Sequence, residues 1–201
     1  MDESEVVRIV RRGAQYLAEN LWDYWPASGD NDVPERNISV NVARAFGERG
    51  FRCYTEVNPR DRTDSRLDLL AFHPDREVLV VLESKKLHVA EQLEGMLKDA
   101  ERIIEFQPQG RDSDQVGRAA RFGVLVATTW KDEAAAWWAA TDGSWDAGEA
   151  RWNAYLKERK ELSQRMDKAS FGSVIVQGYD GQKSSEPFHY VLYCVFRAGP
   201  A

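Results

Sequence analysis

Apolar residues recur every three or four positions at the start of the chain. Val6, Val10, Leu17, Leu21 and Trp25 share one side, and Ala14 and Ala18 fill the stripe. That spacing predicts an amphipathic helix. Asp2 or Ser4 can cap it, and Glu5 sits in the first turn, where the helix dipole favours an acid. Pro26 stops it, and residues 27–33 are turn formers, the one convincing linker in the sequence. Residues 1–26 therefore read as an appended helix, free to bury its stripe on the same domain or on a second copy as a homodimer. Residues 34–201 read as the main domain. Pro34 opens a second helix whose apolar face is Ile38, Val42, Ala45 and Phe46, and Gly50 ends it. From Phe51 the period becomes two, with Phe51, Cys53, Thr55 and Val57 opposite Arg52, Tyr54 and Glu56, which predicts a half-buried strand.

Two further strands are expected at 67–72 and 78–83, joined by His73-Pro-Asp-Arg-Glu77 as a hairpin. The run Val78-Leu-Val-Val-Leu82 is apolar on both faces and so predicts a central strand. A helix follows over 88–106, with Val89, Leu93, Met96, Leu97, Ala100, Ile103 and Ile104 at helical spacing, then a buried strand at 122–127. A short helix at 132–140 and a longer one at 148–169 form a Trp-rich helical insertion. Strands at 173–177 and 189–196 finish the chain. The order predicts a mixed α/β domain.

Composition narrows the function. The sequence has 201 residues, 43% hydrophobic, with 27 Lys and Arg against 33 Asp and Glu, a net charge of -6. Such a balance argues against a protein that coats DNA non-specifically. Any nucleic-acid contact must be local or carried by metal ions held on the surplus acid. Cys53 and Cys194 form no metal or redox motif and read as buried free thiols. No apolar run approaches the ~18 residues of a membrane span, and the acidic Met1-Asp-Glu-Ser-Glu start has no signal core. A cytoplasmic protein is expected.

The chemistry concentrates at Asp68 and Glu83-Ser84-Lys85. Glu83 and Lys85 lie two apart at a strand end and leave the same face. Asp68 lies on the preceding hairpin strand, near the same end, with a register step of one or two residues left for a bulge or frayed end. Two carboxylates with an open flank suit a hard cation such as Mg²⁺ or Mn²⁺. The lysine would then orient the attacking water or stabilise charge on a phosphodiester being hydrolysed. Acids and lysines also end strands on ordinary surfaces, where Asp68 with Lys85 would be an ion pair worth under ~1 kcal/mol.

The motifs Glu35-Arg36, Glu56-Val57-Asn58, Leu67-Asp68 and Glu83-Ser84-Lys85, followed by the helix carrying Asp99-Ala-Glu-Arg102-Ile103, stand in an informative order. Over residues 34–128 this order resembles the core of the PD-(D/E)xK nuclease superfamily, and most closely its small uncharacterised bacterial members. The resemblance implies a restriction-endonuclease-like mixed sheet flanked by helices and a metal-dependent nuclease acting on DNA. It also implies Asp68 and Glu83 as metal ligands and Lys85 as the catalytic lysine, with Glu35 holding the metal directly or through a water. Leu67 stands where the motif's nominal proline would be. The superfamily contains inactive and repurposed members, so a binding or interaction module on the same fold is the alternative.

Around this centre, Glu56 reads as a supporting polar group or a surface residue, and Gln92 as a supporting residue at the start of the next helix. Lys86, Arg60, Arg62 and Arg66 are candidate phosphate contacts; the arginines could equally pair with Asp61 and Asp64. His88 reads as helix-start packing. Between Arg151 and Lys168, six basic residues face three acids, either a solvated helix face or a strip that tracks a nucleic-acid backbone. Trp130, Trp137, Trp138, Trp145 and Trp152 read as core or interface.

Overall fold

The computed structural model describes residues 1–23, 35–58, 66–89, 91–108, 113–139, 169–176 and 189–199. Its elements in order are α1 (Glu3–Asp23), α2 (Glu35–Gly47), β1 (Arg52–Val57), β2 (Leu67–His73), β3 (Val78–Lys86), α3 (Gln92–Glu105), α4 (Ser113–Arg118), β4 (Ala120–Thr129), α5 (Asp132–Ala139), β5 (Ser170–Val176) and β6 (His189–Arg197). The six strands make one mixed sheet in the order β1-β2-β3-β4-β6-β5. The β2–β3 hairpin is present, and β3, apolar on both faces, is an interior strand paired with β2 on one side and parallel to β4 on the other. The parallel step requires a crossover, which α3 supplies. The linker at 27–33, Pro34, Arg60, Arg62, Trp145, Trp152 and the basic segment from Arg151 to Lys168 lie outside the described residues. No described helix is long and apolar enough to cross a membrane.

Alternation along β3 builds two cores. Val78, Val80 and Leu82 face α1 and α2, where they join Val6, Val10, Leu17, Ile38, Val42 and Phe46. Leu79 and Val81 face the other way, toward Leu93, Met96 and Ile103 of α3 and Trp137 and Trp138 of α5. Trp137 and Trp138 are fully buried, as expected, and the Trp138 indole N–H is satisfied by the Tyr193 carbonyl at 3.0 Å. Asp2 caps α1 by accepting the Glu5 amide at 2.8 Å. The stripe of α1 is buried within its own chain, on α2 and β5. Gly13 makes the crossing possible, since a Cβ there would lie 2.6 Å from the Val42 Cα.

The sequence pattern and the structure differ at several element boundaries: β4 spans Ala120–Thr129 where 122–127 is expected, and β5 starts at Ser170 where 173 is expected. Strand β3 runs on to Lys86, so the next helix starts at Gln92 instead of 88. The polar connection before β4 contains the short helix α4.

Candidate functional site

The site lies where β3 passes beyond its apolar run. Glu83 and Lys85 continue the face of Leu79 and Val81 and therefore point toward α3, while Ser84 points toward α2. The β2–β3 pairing runs from His73↔Val78 to Leu69↔Leu82, so Asp68 and Glu83 lie just past its end, where the sequence leaves room for a bulge or frayed end.

Something else is irregular at this level. In β2, Leu69 and Ala71 belong to the α2-side core, but Leu67, of the same parity, belongs to the α3-side core. In β1, Cys53 packs on the first core and Val57 on the second. Both strands exchange faces between these points. Glu56, which the register sets between Thr55↔Leu69 and Val57↔Leu67, has φ +55°. A left-handed conformation at a non-glycine residue costs ~1–2 kcal/mol. Glu56 is held by Arg36 at 3.2 Å and Arg66 at 3.6 Å, largely exposed pairs that tie α2 and β2 to the edge strand. The exchange frees the Asp68 carboxylate from strict alternation. Its Oδ2 accepts both the Ser84 amide at 2.7 Å and the Ser84 hydroxyl at 2.6 Å, and Ser84 Oγ lies 3.0 Å from the buried Ser39 Oγ of α2.

On the α3 side, Lys85 Nζ is 3.1 Å from Asp99 Oδ2. Arg102 Nη2 lies 2.9 Å from Glu83 Oε1 and 2.5 Å from Asp99 Oδ1. A Cβ at Gly95 would sit 3.5 Å from the Lys85 Cε, in ordinary van der Waals contact. Burial pushes the Glu83 carboxyl up to about 8; Asp68 and Asp99 push the same way, and Arg102 and Lys85 oppose them. Asp99 is also raised, by burial first.

The structure thus brings Asp68, Glu83 and Lys85 into one electrostatic cluster. It engages Glu35 differently, because Glu35 Oε1 accepts the Lys86 backbone amide at 2.7 Å. Gln92 folds back to accept the His88 amide at 2.6 Å and the Val89 amide at 3.2 Å, so it shapes the turn into α3. Arg66 is occupied with Glu56. Ser39 and Ser84 had no assigned role in the sequence, nor did Asp99 and Arg102 beyond the resemblance. The signal for Asp99 is an acid within the Met96, Ala100, Ile103 stripe of an amphipathic helix, a buried charge that needs partners.

Among the described residues, no three His, Cys, Asp or Glu side chains are grouped to hold a metal ion. The donor chemistry nevertheless fits a hard divalent cation. Asp68, Glu83 and Asp99 outnumber Lys85 and Arg102, although Glu83 Oε1 already faces Arg102 and Asp99 Oδ2 already faces Lys85. No protein-family model matches this chain, and neither a curated protein nor a solved structure matches it.

Proposed function

We propose that this chain is a divalent-metal-dependent nuclease-like protein that hydrolyses phosphodiester bonds, with DNA as substrate, on a restriction-endonuclease-like fold. The observation that carries the reading is the convergence of Asp68, Glu83 and Lys85, from two paired strands, into one acid-rich cluster at the end of an otherwise apolar sheet. Burying such charge is costly unless something uses it. Asp68 and Glu83 are the residues that would hold Mg²⁺ or Mn²⁺. The cation would supply Lewis-acid stabilisation of the phosphate and activation of a water. Ser84 and Ser39 fix the Asp68 carboxylate, and Asp99 holds the Lys85 ammonium beside the carboxylates.

The test is incubation with plasmid and single-stranded DNA in Mg²⁺ or Mn²⁺, beside Lys85→Ala and Asp68→Ala. Each variant should lose about a hundredfold or more, the usual cost of removing one group that stabilises transition-state charge. Equal nicking by all three proteins, or none by wild type, overturns the reading. One observation favours a second reading, a non-catalytic binding module. Lys85 with Asp99, and Glu83 with Arg102, are already ion-paired without a cation. A wild type that neither cleaves nor takes up Mn²⁺ in a paramagnetic-resonance titration would decide for the module.

A further inference from the structure

Among the tryptophans grouped above as core or interface, Trp130 departs from the pattern. It is 42% exposed, whereas Trp137 and Trp138 are fully buried. Its position follows from the sheet. Lys86 of β3 pairs with Thr128 of β4, and the Leu87 amide donates to the Thr128 carbonyl at 2.9 Å, so the parallel strands leave the sheet together. His88 and Trp130 emerge just beyond, with ring centroids 3.7 Å apart and planes inclined at 31°. The buried His189 ring lies 6.0 Å from the indole, the two planes inclined at 51°. The indole is therefore braced by one aromatic ring and still presents much of its surface to water. It stands three residues past the level of Lys85 and five past that of Glu83, about 10 Å and 16 Å along the strand direction. The next residue, Lys131, is exposed.

We propose that Trp130, backed by His88, is a nucleobase-stacking subsite that receives one base of a single-stranded nucleic acid beyond the Lys85 end of the Asp68–Glu83–Lys85 cluster. The inference rests on the nucleic-acid reading above and adds how the strand is held. A flat aromatic surface next to the exposed Lys131, with Asp132 engaged by the Tyr190 hydroxyl, matches a base joined to a phosphate. Stacking uses the π-face common to all bases, so the subsite tolerates any sequence. It also suits a chain of net charge -6, because stacking supplies affinity that a basic surface would otherwise have to supply.

The test measures fluorescence anisotropy in EDTA, with no cleavage. It compares labelled oligothymidylate with an abasic strand of the same length and charge. Wild type should prefer the base-bearing strand. Trp130→Ala should lose about tenfold on that strand and little on the abasic one, in line with the alanine-substitution cost of one stacked base, and Trp130→Phe should fall between. Equal binding of the two strands by wild type, a preference that survives Trp130→Ala, or no binding of either strand overturns the inference. The two failures are distinguishable. Base-dependent binding without cleavage removes the nuclease reading and leaves this one, while metal-dependent cleavage without base dependence does the reverse.

Discussion

Replacing Arg102 with Met probes the buried charge cluster from the side of its most enclosed cation. Arg102 Nη2 approaches Glu83 at 2.9 Å and Asp99 at 2.5 Å, and the two acid side chains are only 3% and 5% exposed. Two unit charges ~3 Å apart attract by about 5 kcal/mol at an effective dielectric of about 20. Removing one partner from a buried pair costs ~3–5 kcal/mol, because the other is left uncompensated. Arg102 is 24% exposed, so solvent screens it and the lower end applies, about 3 kcal/mol near neutral pH. Asp99→Asn should behave differently. It removes one of the surplus carboxylates, and Lys85, at 35% exposed, can extend into water. Its expected change is within about 1 kcal/mol.

The pH dependence carries the sharper refutation. Glu83 is pushed up to about 8 from an ordinary 4.5, and Arg102 is one of the groups that hold it down. Without Arg102, both Glu83 and Asp99 rise further. A carboxyl raised in the folded state keeps its proton where the unfolded chain has released it, so stability is lost as pH rises from the unfolded value through the folded one. Both folded proteins keep the Glu83 proton below about pH 8, so the Arg102→Met deficit should change little through Glu83 up to that pH and should grow as pH rises beyond it. Urea unfolding in EDTA at several pH values measures it. A deficit independent of pH, or an Asp99→Asn deficit larger than that of Arg102→Met, would refute the reasoning.

Two further predictions concern the frame around the site. Gly13→Ala gains ~1 kcal/mol of helix propensity, but its Cβ meets the Val42 backbone at 2.6 Å, so a net loss of ~2 kcal/mol is expected in urea unfolding. Gly47→Ala, with nothing within 4 Å, should instead be neutral or stabilising, and the reverse order would contradict the α1–α2 packing. Burial pushes the Cys53 thiol up to about 11, so its alkylation in the folded protein should be slow at about pH 8 and should climb through about pH 11. Labelling at the unfolded-chain rate at the lower pH would exclude that environment.

Most of the described fold was legible in hydrophobic period. The stripe of Val6, Val10, Leu17 and Leu21, the doubly apolar Val78 to Leu82 and the Pro-Asp connection at 73–77 each have one low-energy reading, and the structure adopts it. The boundary errors have a physical cause. Glu83 to Lys86 are polar, and polarity reads as the end of a strand, but pairing with Leu125 to Thr128 on β4 keeps the backbone extended. Trp130, read as core or interface, is not core. Hydrophobic period alone does not separate those two readings, and the parallel exit of β3 and β4 places it beyond the sheet.

At the site, the sequence set Glu35, Asp68, Glu83 and Lys85 apart but not the groups that satisfy each of them. Glu35, Asp68 and Glu83 are all acids near one sheet end, yet Glu35 accepts a backbone amide, Asp68 binds a serine amide and hydroxyl, and Glu83 faces an arginine. That division depends on the face exchange at Glu56 and Asp68, which no two-residue alternation encodes. It bears on the chemistry through charge. Asp68, Glu83 and Asp99 together exceed Lys85 and Arg102, so the cluster carries a surplus negative charge that a proton or a cation can remove. A proton on Glu83 leaves the ion-pair network closed. A divalent cation would instead displace that proton, so its binding should release protons and tighten as pH rises. The acid surplus is therefore a measurable choice between proton and cation at a single carboxyl.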